Sequence, residues 1–89
     1  MKVSGEVDVS NADQLRDALS RGLDNASGLI EIYISQVPYI DSTGIGVLVG
    51  AAHRAQELNT KLVVAHPQRN VARVLSLLGV SDELGVEAD

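Results

Sequence analysis

The chain has 89 residues, no cysteine, two aromatic residues (Tyr33 and Tyr39) and a formal net charge of −5 from seven basic and twelve acidic side chains. That length makes one domain with a core large enough to fold without staples, and the lack of cysteine excludes disulfides and thiolate sites and fits a reducing cytoplasm. Acidity and the scarcity of aromatic platforms argue against nucleic acid as a partner; no apolar run of about 18 residues is present to insert into a membrane, and the N-terminus lacks the basic-then-apolar pattern of a signal peptide.

Residues 1–7 alternate weakly at Val3, Gly5 and Val7 and predict a short strand. Glu6 and Asp8 fall at strand spacing on one face. Such a pair can act as acid and base or bind a metal, but is more commonly a solvated strand end. Ser10 is the candidate N-cap of the first helix, with Asp13 as a short capping-box partner. That helix, over residues 11–24, gathers Ala12, Leu15, Ala18, Leu19 and Leu23 on one face, and Asn25-Ala26-Ser27-Gly28 stops it. Leu29 to Ser35 sets Ile30, Ile32 and Ile34 against Glu31 and Tyr33, the clearest strand in the chain.

A loop across Pro38 leads to a second helix over residues 42–59. Ile45, Leu48, Val49, Ala52 and Ala55 form its apolar face, and Leu58 extends that face by a turn. Lys61 to Ala65 is nearly all apolar, which predicts a central strand. A third helix, from Arg69 or Asn70 to Leu78, turns Val71, Val74, Leu75 and Leu78 inward. Gly79 fits the left-handed position after it, with Val80 packing back. Ser81 to Asp89 is short and acidic, with room for one turn and a terminal strand near residues 85–87. The order β-α-β-α-β-α predicts parallel pairing through right-handed crossovers. The strands' C-terminal ends then share one edge, where the Asp41-Ser42-Thr43 and His66-Pro67 loops lie side by side.

The head of the second helix is the most specific signal. Asp41 suits the N-cap, Ser42 and Thr43 occupy the first turn, and Gly44 and Gly46 keep it bare. Capping alone explains the acid and the hydroxyls. A phosphoacceptor hydroxyl is the functional alternative: a phosphate there is favoured by the helix dipole and adds about −1.5 to −2 charges to an exposed surface. A nucleophile needs a base within about 3 Å. His53 lies ten residues on, roughly 15 Å along the same helix, and only His66 remains as a weak candidate. Gly44-x-Gly46 lacks the third glycine and the lysine of the phosphate-binding loops. Neither histidine has a companion at metal-ligand spacing. Arg69 and Arg73, four residues apart, make a small basic face, by default a solvated one.

These residues resemble the STAS domain, and within it the bacterial anti-sigma-factor antagonists. The resemblance runs through GEVDVSNADQLRDAL, LIEIYISQVPYIDSTGIGVLVGAAHRAQE and KLVVAHPQRNVARVLSLLGVSDELGV, and D-S-T-G-I-G-V-L stands where the family shows Asp-Ser-Ser/Thr-Gly-Leu-Gly. It implies an α/β fold, a mixed β-sheet of about four strands with helices mainly on one face, and no catalytic activity or cofactor. It also implies a partner-switching role. The unphosphorylated antagonist binds an anti-sigma factor that is also a protein kinase and so frees a sigma factor, phosphorylation ends this, and a phosphatase restores it. The acceptor position falls on Thr43, with Ser42 second. Asp8, of the family's G-E-x-D turn, joins Asp41, Ser42, Thr43, Gly44 and Gly46 at the partner surface. The alternative within the family is a non-switching subunit of a lipid-transport ATPase or stress-signalling scaffold. Three departures stand out: Thr replaces the usual Ser at the acceptor, with a stiffer χ1; the usual first strand is missing; and the usual C-terminal helix is missing or cut short. A missing first strand leaves an exposed sheet edge through which two copies could pair.

Overall fold

The computed structural model describes residues 1–87, in the order β1 (Lys2–Ser4), α1 (Ala12–Asn25), β2 (Leu29–Gln36), α2 (Ser42–Glu57), β3 (Lys61–Ala65) and α3 (Arg69–Leu77). The strands form one sheet in the order β1-β2-β3, with both pairings parallel. The sheet thus has three strands where about four were expected, and among the described residues its pairings are all parallel where a mixed sheet was expected, because each strand follows the last through a helical crossover. Two single-residue parallel bridges extend it, Val7 with Ile40 and Ala65 with Glu87.

Period-two alternation sorts the side chains of the sheet. Ile30 pairs with Leu62 and Ile32 with Val64, so these rows point to one face. There they join Leu15, Leu19 and Leu23 of α1, Ile45, Leu48 and Ala52 of α2, and Val71 and Leu75 of α3 in one buried cluster. The helices therefore cover this face, as expected. On the other face Glu31 pairs with Val63 and Tyr33 with Ala65, and the His66 ring stacks on Tyr33 with centroids 6.0 Å apart. The neighbouring Glu31 carboxylate raises the pKa of the Tyr33 hydroxyl. Between the helices, Arg54 of α2 donates to Ser20 Oγ at 2.9 Å and pairs with Asp24 of α1 at 3.3 Å, an exposed tie of small energetic weight.

Several expectations are corrected. β2, not β3, is the central strand. β3 lies beside it, and residues 84–87 run along the outer edge of β3, with Val64 N–H donating to Leu84 O and Glu87 N–H to Val64 O. The terminal pairing expected near residues 85–87 is thus made at Glu87; residues 88 and 89 of that segment lie outside the described residues. β1 ends at Ser4, so Glu6 and Asp8 lie in a loop rather than on a strand face; Gly5 adopts φ +86, which turns the chain out of the ladder. α2 ends at Glu57 and leaves Leu58 exposed. On α3 only Val71 and Leu75 are buried; Val74 is 38% and Leu78 56% exposed. The helix is nine residues long and stops at Leu77, and Gly79 (φ +72) reverses the chain there.

Candidate functional site

Because all three strands run the same way, the loops that leave their C-terminal ends meet at one edge. Val7 lies in the loop after β1 and is stitched to the loop after β2: its N–H donates to Tyr39 O at 2.9 Å, and its carbonyl accepts from Asp41 N–H at 3.0 Å. The loop after β3 is tied to the same segment. Gln68 Nε2 donates to Ser35 O at 3.1 Å, and Asn70 Nδ2 to Pro38 O at 2.8 Å. The side-by-side placement of these loops was legible from the β-α order alone.

Asp41 is the N-cap of α2, with extended backbone (φ −93, ψ 179). One carboxylate oxygen accepts from Gly44 N–H at 2.9 Å, the bond the sequence called for. The other accepts from Val9 N–H at 3.2 Å. The same side chain therefore satisfies the helix and holds the residue 5–9 loop against it. Ser42 and Thr43 follow in the first turn, both exposed. The two glycines differ. Gly44 is buried, and a Cβ there would come within 2.6 Å of Val7 Cγ1 and 2.9 Å of Ile40 Cγ1; a Cβ at Gly46 would meet nothing within 4 Å. Gly44 lets the loop close onto the helix, whereas Gly46 leaves backbone open to whatever lies outside.

Asp8 sits beside this corner in a tight turn. Its carboxylate accepts from Ser10 N–H at 2.9 Å and Ser10 Oγ at 2.5 Å, while Asp8 N–H donates to Asn11 Oδ1 at 2.9 Å. Ser10 is therefore not the N-cap of α1. Asn11 holds that position, and its side chain makes no cap bond because it reaches back to the turn, its Nδ2 donating to Glu6 O at 2.8 Å. The local turn outcompetes the helix for both polar side chains. The Ser10 hydroxyl, then the Ser10 and Asn11 backbone N–H groups, hold the Asp8 carboxyl below its ordinary pKa. The charged form is favoured by the fold above the unfolded value, and that preference fades as pH falls through the folded value. An NMR titration of the Asp8 carboxyl should show the lowered midpoint, and Ser10→Ala should raise it. Equal midpoints in the two proteins would mean that the hydroxyl contributes nothing.

Of the residues expected at this surface, the structure brings Asp41, Ser42, Thr43 and Gly46 together around the helix head, with Asp8 in the adjoining loop and Gly44 facing inward. Two residues outside that expected set also lie at this corner: Val9, whose N–H donates to the Asp41 carboxylate, and Tyr39, two residues before Asp41 in the chain; they are 74% and 52% exposed. Their signal was present, since both are large apolar or aromatic residues in loops with no periodic partner. His53 lies farther down α2 with its Nε2 3.6 Å from Glu83 Oε2. Among the described residues no group of three His, Cys, Asp or Glu side chains could hold a metal ion, and no helix is long and apolar enough to cross a membrane. The arrangement presents an exposed hydroxyl on a capped, glycine-lined helix end with apolar residues beside it.

Comparison with known proteins gives a consistent result. The family profile of the STAS domain matches residues 1–89. The anti-sigma-B factor antagonist of Listeria monocytogenes is 29% identical over 85 residues, which span 96% of this chain and 75% of the relative. Among solved structures, the unphosphorylated anti-sigma factor antagonist SpoIIAA superposes with a TM-score of 0.79 at 19% identity, covering 99% of this chain and 77% of its own. A Thermotoga maritima protein, TM1081, superposes with a TM-score of 0.83 at 24% identity, over 93% of this chain and 72% of its own. At these identities the structural likeness speaks for the fold.

Proposed function

The chain belongs to the STAS domain family, and on that premise we propose that it is an anti-sigma-factor antagonist switched by phosphorylation at Thr43. In the unphosphorylated state it binds an anti-sigma factor with protein kinase activity, through the Asp41–Gly46 head of α2 and the Asp8–Val9 loop, and a sigma factor is released. Transfer of phosphate from ATP to Thr43 ends the contact, and a phosphatase restores it. The chain performs no catalytic step of its own in this scheme and acts in the cytoplasm.

The observation that carries the reading is the setting of Thr43. Its side chain is exposed in the first turn of α2, two residues past the Asp41 cap, with the open backbone of Gly46 one turn on. A phosphate there lies where the helix dipole favours negative charge, so it changes the surface and leaves the fold intact. Support also comes from the Listeria relative, named as an anti-sigma-B factor antagonist. The test incubates the protein with ATP and the anti-sigma factor kinase of its own bacterium, then maps the phosphate by mass spectrometry. Phosphate is expected on Thr43; phosphate on Ser42, or on neither, would overturn the assignment.

A further inference from the structure

The outward side of α3 is unlike an ordinary solvated helix face. Arg69, Asn70, Arg73, Val74 and Leu77 recur there at helical spacing, opposite the buried Val71 and Leu75. The two arginines stand four residues apart, and neither enters an ion pair among the described residues. Like charges at that spacing repel, and cations near a helix start oppose its dipole. No acidic residue lies in the first turn to offset them. The placement disfavours the helix, in a chain of net charge −5. Apolar surface lies next to it, with Leu77 78% exposed. The face also joins the Asp41 corner, because the bond from Asn70 Nδ2 to Pro38 O fixes the first turn of α3 against the loop that carries Tyr39.

We infer that this face of α3 is the second half of the docking surface and takes an acidic, apolar-anchored segment of the anti-sigma factor. Arg69 and Arg73 pair with its carboxylates, and Val74 and Leu77 receive its apolar side chains. This inference rests on the antagonist reading above. Charge selects the occupant. An anionic membrane also suits arginine beside leucine, but it would have to approach a domain that is acidic overall. A second copy, docked through the same patch about a two-fold axis, would add two more cations to it. A partner without carboxylates would bury both guanidinium groups unpaired. An acidic segment also fits the direction of the switch, since phosphate on Thr43, at the same edge, would repel it.

The test titrates the purified anti-sigma factor, by calorimetry at low and physiological salt, against five proteins: the wild type, Arg69→Glu/Arg73→Glu, Arg69→Lys/Arg73→Lys, Leu77→Ser and Thr43→Glu. The double charge reversal is expected to weaken binding by about tenfold or more at low salt and to flatten its salt dependence. Leu77→Ser should weaken it at both salts, and Arg69→Lys/Arg73→Lys should retain the salt dependence. All substituted side chains are exposed, so no variant should melt much below wild type, and those that gain an acid near a helix start should melt slightly higher. If Thr43→Glu loses binding while the α3 variants bind as wild type, the α3 surface is overturned and the antagonist reading stands. If the wild type itself does not bind, both fall. Wild-type protein that sediments with phosphatidylglycerol vesicles, or a dimer that Leu77→Ser dissolves, would give the face to a membrane or a second copy and overturn the inference.

Discussion

Thr43→Glu is expected to weaken binding of the anti-sigma factor by about a hundredfold, some 2.7 kcal/mol, while Thr43→Ala binds as the unmodified protein does. The reason is local. Thr43 is exposed in the first turn of α2, and the Asp41 carboxylate is already committed to Gly44 N–H and Val9 N–H. A new negative charge finds no cation close along the chain, since Ser42 to Ala52 carries none. It stays at the surface, where a partner would have to desolvate it. The fold should not suffer, because an acidic residue near a helix N-terminus stabilises it by about 0.3–1 kcal/mol. Calorimetric titration together with thermal melts separates the two effects. Equal affinity of the Glu and Ala variants would remove the switch, whatever the melts show.

Gly44→Ala and Gly46→Ala, the same substitution two residues apart, should act in opposite directions. In a helix interior, alanine is favoured over glycine by about 0.8–1 kcal/mol. At Gly46 the new methyl meets nothing within 4 Å, so the isolated domain should melt about 4–8 °C higher. At Gly44 the methyl would lie 2.6 Å from Val7 Cγ1 and 2.9 Å from Ile40 Cγ1. Both neighbours are buried, and Val7 is held on each side by backbone bonds to Tyr39 and Asp41. Overpacking of this kind costs about 1–3 kcal/mol and outweighs the propensity gain, so the melting temperature should fall by about 5–10 °C. Binding should separate the two again. Gly46→Ala, though more stable, is expected to bind the anti-sigma factor about tenfold more weakly, because the methyl would stand on the surface proposed for the partner. A Gly46→Ala protein of undiminished affinity would take Gly46 out of the contact. A Gly44→Ala protein that melts no lower than wild type would show that Val7 and Ile40 yield freely.

The parts of the site that were legible in the sequence are those set by local chemistry. An Asp followed by Ser, Thr and two glycines, after a clear strand, fixes a capped helix head, and the cap bond forms at the residue expected. The α3 face shows where local reading failed. Val71, Val74, Leu75 and Leu78 all satisfy helical periodicity, yet only the first and third are buried. Periodicity states which side chains share a face, not how much surface exists to cover them. Likewise, an apolar strand such as Lys61 to Ala65 reads as central, though here residues 84–87 supply the cover at its edge.

By itself, then, the sequence determined the element order, the parallel crossover topology, the edge at which the loops gather and the hydroxyl at the head of α2. All of these follow from period, cap chemistry and chirality, which act over a few residues. Only the tertiary structure decided that Asp41 also holds Val9, that Ser10 serves Asp8 rather than the first helix, and that Gly44 faces inward while Gly46 faces out. It alone left Val9, Tyr39, Val74 and Leu77 on the surface. Those outcomes depend on which of several competing partners comes within reach. Reach is set by how segments some thirty residues apart, such as Val9 and Asp41, are brought together, which no local pattern encodes.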